Sequence, residues 1–178
     1  MDFLSIKLML DRVQVYVQGA ANPLIERAIL DAAREFCIAT EVHQAPSYPL
    51  PLVPKVVRYE FDAWYEHLVV ERAYNLTQRG TVNKGIFTLD DPGATGTVQA
   101  TLVLAPAHDA KVLWDRLIND HHQALESGAL AKLYRQRGAD FFNPDLAREE
   151  RGRFHDEIHN AMSNGRQRVR MRGKHWAA

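Results

Sequence analysis

A chain of 178 residues with 46% hydrophobic side chains can form one domain, or one domain with an elaborated insertion, around a real core. Lys and Arg number 22, as do Asp and Glu, so the chain as a whole is not a generic polyanion binder. The balance is uneven: Ser163 to Ala178 holds Arg166, Arg168, Arg170, Arg172 and Lys174 and no acid, which leaves 17 bases against 22 acids in residues 1–162.

From the N-terminus, Phe3, Leu4, Ile6, Leu8, Met9 and Leu10 predict a short helix. Val13, Val15 and Val17 alternate with polar or aromatic neighbours and predict an extended segment. Gly19-Ala20-Ala21 turns into the strongest element, Asn22 to Thr40. Asn22 is placed to cap it, and Pro23 sits where a missing N–H costs nothing. Ile25, Ala28, Ile29, Ala32, Phe36 and Cys37 recur at steps of three and four, an apolar stripe opposite Glu26, Arg27, Asp31, Arg34 and Glu35.

Residues 41–105 change character. Pro46, Pro49, Pro51 and Pro54 favour extended chain. Val56 to Phe61 and Leu68 to Val70 are rich in strand formers. Gly85 to Leu89, the turn cluster Asp90 to Gly96 and alternating Thr97 to Leu104 predict a hairpin with an acidic, glycine-rich tip. Helical spacing returns from Trp114 to Gln136, with Gly128 in mid-helix, where its use is close approach of a neighbouring helix. Asn143-Pro144 starts a last, charged helix carrying Ala147, Phe154, Ile158 and Ala161, with Asn164-Gly165 as its stop.

The fold class that follows is α+β: a mostly α-helical bundle core from residues 1–40 and 106–164, a β-rich insertion over 41–105 and an extended basic C-terminal arm over 165–178. No apolar run approaches the ~20 residues that span a bilayer. The N-terminus lacks the layout of a secretory signal. A soluble protein that does not use that export route is expected.

Chemistry is thinly signalled. Cys37 is the only cysteine, so no intrachain disulfide exists, and its place on the apolar stripe makes it a small buried hydrophobe. His155 and His159 are one turn apart, but Asp156 holds the position where a zinc-protease pattern needs glutamate, and no third ligand is near. His121 and His122 are adjacent and cannot chelate as a pair. No phosphate loop, nucleophile elbow or defensible carboxylate pair is present. No enzyme, metal or cofactor is expected.

The tail carries a sharper pattern. Arg166, Arg168, Arg170 and Arg172 alternate with Gln167, Val169 and Met171, and an extended strand would put all four arginines on one side. Such a strip fits a partner's sheet edge or a carboxylate-lined groove, with Trp176 as an anchor.

Taken in order, Pro23-Leu24-Ile25-Glu26-Arg27-Ala28, Asp31-Ala32-Ala33-Arg34-Glu35-Phe36-Cys37, Tyr48-Pro49-Leu50-Pro51 with Val56-Val57-Arg58, Leu104-Ala105-Pro106, Gly128-Ala129-Leu130-Ala131-Lys132-Leu133 and the Asn143-Pro144-Asp145-Leu146-Ala147 helix with Phe154 form a pattern. It resembles the head-to-tail adaptor (connector) proteins of tailed bacteriophages over most of residues 22–162. The resemblance implies a homo-oligomeric ring, usually of twelve subunits, seated under the portal protein at the head–tail junction of the virion after assembly in the host cytoplasm. Such a ring extends the channel, lets double-stranded DNA pass without specific binding and offers a platform to tail or nozzle proteins. It also implies a portal-binding arm, here Arg166, Arg168, Val169, Arg170, Met171, Arg172, Lys174 and Trp176. Phe36, Gly128, Leu133, Phe154 and Ile158 are the expected subunit-packing residues. An acidic body suits a conduit to which DNA must not stick. The rival reading is a DNA-binding protein with the arginine strip on phosphates, whose affinity falls steeply with salt.

Overall fold

The first element is a strand where the apolar spacing predicts a helix: β1 is Phe3–Ser5, and α1 follows at Lys7–Gln14. The computed structural model describes residues 2–63 and 65–174, with side chains described as far as Ser163. Val13 belongs to α1, and Met9, Leu10, Val13 and Val17 are buried while Val15 is exposed. The predicted extended segment over Val13 to Val17 is therefore wrong. The buried residues recur at steps of three and four, and that helical stripe overrides the local valine alternation.

α2 spans Asn22–Thr40. All six residues of the predicted stripe are buried, with Leu30 and Ala33 beside them. Asn22 does not cap the helix: it is already helical, and its Oδ1 accepts a hydrogen bond from Gln14 Nε2 at 3.4 Å. Glu41 ends α2 in the left-handed conformation (φ 52°), its N–H donating to Cys37 O at 2.9 Å.

The β segment then runs β2 (Gln44–Pro46), β3 (Leu50–Pro51), β4 (Arg58–Glu60), β5 (Leu68–Tyr74), β6 (Gly80–Asn83), β7 (Ile86–Leu89), β8 (Thr97–Val98) and β9 (Thr101–Pro106). β10 (Val112–Trp114), α3 (Asp115–Leu133) and α4 (Pro144–Lys174) complete the chain. The result is mixed α+β, with four helices and four small antiparallel sheets among the described residues. None of those helices is long and apolar enough to cross a membrane.

The chain divides into two compact units. The first is residues 1–42 with 108–178. Here β1 pairs antiparallel with β10, Phe3 opposite Trp114 and Ser5 opposite Val112. α3 packs on α2 and on α4, and α1 touches both α2 and α3. One residue of α3, His121, leaves helical geometry (φ −134°, ψ 20°), and its ring lies 4.8 Å from that of Phe36. Asn143 caps α4: its Oδ1 accepts from the N–H groups of Asp145 at 3.2 Å and Leu146 at 3.1 Å.

α4 does not stop at Gly165. It continues to Lys174, so the segment predicted as an extended strip is helical as far as its backbone is described. Arg, Gln and Met are good helix formers, and one glycine in a helix costs only ~1 kcal/mol. Trp176 lies outside the described residues.

The second unit is residues 43–107. Its sheets are β2–β9–β5, β3–β8 and β4–β7–β6. The predicted hairpin from β7 across the 90–96 tip does not form. β7 pairs instead with β6, Val82 opposite Phe87 and Asn83 opposite Ile86, and with β4 on its other side. The cause lies in the turn: Lys84 (φ 46°) and Gly85 (φ 79°) both take positive φ, the geometry of a tight two-residue hairpin. β9 is the central strand of its sheet, and Leu102 to Pro106 are buried on both faces, unlike the one-sided strand that alternation suggests.

Candidate functional site

Three segments far apart in sequence meet at Gly128. A Cβ built there would lie 2.8 Å from the Ala32 Cβ on α2 and 2.9 Å from the Phe154 ring on α4. Close helix approach at Gly128, read from the sequence, is therefore present and has two partners. The Phe36 and Phe154 rings lie 6.4 Å apart at 48° beside it. Leu133 and Ile158 are also buried. The five residues expected at subunit contacts are thus inside this unit's own core. Phe36, Leu133, Phe154 and Ile158 bury their side chains within the single chain, and Gly128 gives the room for α2 and α4 to approach α3.

A polar tie crosses the same three helices. Glu35 on α2 receives Lys132 Nζ of α3 at 2.9 Å and Arg151 of α4 at 2.6 Å. Burial alone would raise the Glu35 carboxyl, but hydrogen bonds from Arg151 and Lys132 outweigh it and hold it below its ordinary value. Glu35→Gln leaves two half-buried cations facing a neutral amide. It should lower stability by about 1–2 kcal/mol, read as a shift in urea midpoint with unchanged slope.

Cys37 is fully buried, and burial pushes its thiol up to about 12, so it stays protonated and inert. His155 and His159 are both exposed on α4. Among the described residues no group of three or more His, Cys, Asp or Glu is placed to hold a metal ion.

An open cleft of about 350 Å³ lies beside α3 and α4. Tyr16 and buried Leu130 give it apolar lining, and four acids, Glu126, Glu150, Asp156 and Glu157, outnumber its one cation, Arg153. Two of these acids are neutralised within the chain: Glu126 by Arg12 at 3.4 Å and Glu150 by Arg153 at 2.8 Å. Neither Asp156 nor Glu157 has an ion pair among the described residues. Burial first, then the charges of Glu150 and Tyr16, raises the nearby Tyr134 hydroxyl above its ordinary value. Nothing in the sequence pattern marks this cleft, because its lining comes from three separated segments.

A second exposed feature lies in the β unit. Tyr48, Val53, Val56 and Val57 are all exposed, within a run from Tyr48 to Val57 whose only charge is Lys55. The side chains of the arginine segment lie outside the described residues.

No protein-family model matches this chain, and no curated protein matches it.

Proposed function

We propose that this chain is a structural head-to-tail adaptor of a tailed bacteriophage. Copies of it form a ring on the portal, extend the DNA channel and present a platform to tail proteins. The observation that carries this reading is the convergence at Gly128. The Asp31–Cys37 segment, the Gly128–Leu133 segment and the Phe154 helix were each singled out by the resemblance, and Ala32, Gly128 and Phe154 touch. Three matched segments that share one contact point support a common architecture better than three separate helix rules do.

α4 adds a second support. Its last buried side chain among the described residues is Ile158, yet its backbone runs on to Lys174. At 1.5 Å per residue that is about 24 Å of further helix. That length carries five basic residues and no acid, a natural reach toward an acidic partner surface. In this reading the segment from Arg166 to Trp176 docks on the portal as a helix over most of its length.

Removing residues 165–178 should abolish binding to the portal ring of the same phage while leaving the thermal melt of the rest close to that of the full chain. The mass of the purified protein, alone and with portal, reads the outcome. Intact portal binding in the truncated chain would remove the arm from the assignment. A full chain that ignores the portal but binds bare duplex DNA, with affinity falling steeply as salt rises, would replace the adaptor reading with the DNA-binding one.

A further inference from the structure

The exposed run in the β unit ends in a turn held with unusual care. Val53-Pro54-Lys55-Val56 closes through Val56 N–H to Val53 O at 3.0 Å, with Lys55 at φ 71°. That is a type II turn whose third position favours glycine, so a lysine there is strained. The neighbouring chain holds it in place. The Tyr59 hydroxyl accepts from Val53 N–H at 2.9 Å and lies 3.1 Å from Val56 O, to which it donates. Leu89 N–H reaches Val57 O at 2.8 Å, and Lys55 N–H reaches Pro92 O at 3.4 Å. Exposed Val53 (51%), Val56 (39%) and Val57 (36%) are thereby presented next to two exposed cations, Lys55 and Arg58. No acid occurs between Tyr48 and Tyr59. Single exposed valines are ordinary; a contiguous, pre-organised apolar tip with one sign of charge is the signature of a contact surface.

The cleft beside α3 and α4 has the opposite character. Leu130 and half-exposed Tyr16 line it with Asp156 and Glu157, the two carboxylates left without an ion pair among the described residues. We propose that the Val53–Val57 turn of one copy seats in this cleft of a second copy, valines against the exposed ring of Tyr16, and Lys55 against Asp156 and Glu157. Charge complementarity selects the occupant: the tip is basic and apolar, the cleft acidic with apolar lining, and one chain carries both. Because the two surfaces differ, the contact is head-to-tail. It passes from copy to copy and closes into a ring if the rotation closes. The inference rests on the ring reading above and supplies its subunit contact, in place of the buried residues that the resemblance suggested.

The test is covalent trapping between copies. Val56→Cys and Ser127→Cys are made separately, mixed at low salt, alone and with portal, and treated with a short bis-maleimide. Cys37 is fully buried and does not compete. The expected result is a cross-linked dimer in the mixture and none from either variant alone; the double variant should give a ladder. Lys55→Glu should cut the yield by about tenfold, and adding Asp156→Lys with Glu157→Lys should restore it. Lys55, Val56 and Asp156 are exposed and Ser127 and Glu157 half-buried, so a melt of each variant close to wild type is the control for folding. An assembly whose mass shows a ring but which gives no mixed product overturns the turn-in-cleft contact and leaves the ring reading standing. A chain that stays monomeric with and without portal, and gives no product, overturns both.

Discussion

Gly128→Val should cost the helical unit several kcal/mol and leave it largely unfolded in modest urea. The position offers no room: a single added carbon already meets Ala32 Cβ at 2.8 Å and the Phe154 ring at 2.9 Å. Ala32 is fixed to the α2 backbone, and Phe154 is fully buried, so neither neighbour can swing aside into solvent. Forcing extra carbons into a packed core costs typically about 1–3 kcal/mol, and a branched side chain across two helices should reach or exceed the upper end. Domains are stable by only about 5–15 kcal/mol, so this is a large share. Gly128→Ala is the control. Its gain in helix propensity, up to about 1 kcal/mol, offsets part of a smaller clash, so its urea midpoint should fall between wild type and valine. Equal midpoints for all three would show that α3 does not approach α2 and α4 this closely.

The β unit should lose stability on mild acidification, and His43 is the cause. Its side chain is 2% exposed, and burial alone lowers its pKa from 6.5 to about 4. Between those values the unfolded chain holds a proton that the folded chain refuses. Stability is therefore full above pH 6.5 and falls as pH drops toward 4. A shift of that size corresponds to roughly 3 kcal/mol, to the order of magnitude. Glu35 acts in a different window. Its folded pKa is depressed, so its contribution is present above 4.5 and is lost only as pH falls below that value. Urea midpoints measured between pH 7 and 5 thus separate His43 from Glu35. His43→Leu should flatten the profile there, and an equally steep profile in that variant would move the cause elsewhere.

How far these features could be read in advance depends on how local their causes are. The α2 stripe was legible because helix period and burial coincide over nineteen residues. The start of α4 was legible because Asn143-Pro144 is a local signal that nothing overrides. At Gly128 the sequence marked close approach by the cost of glycine in a helix, but not which helices would come close. The hairpin was misread because turn glycines occur at both Gly85 and Gly93 to Gly96, and only the paired positive φ at Lys84 and Gly85 decides which turn is tight. The arm was misread because alternation over seven residues fits a strand, whereas helix propensity and an unbroken preceding helix favour continuation.

The mixed α+β class, the apolar stripe of α2, the Asn143 cap of α4, the proline-rich β segment and the segregation of positive charge at the C-terminus are all legible in the chain. These are one-dimensional properties, set by period, propensity and charge within a few turns of chain. What meets what is fixed only in three dimensions: Glu35 with Lys132 and Arg151, the valine turn held by Tyr59, and a cleft lined by two carboxylates that have no ion pair among the described residues. Such arrangements need residues more than about a hundred positions apart to converge, and no local pattern encodes the distance between them.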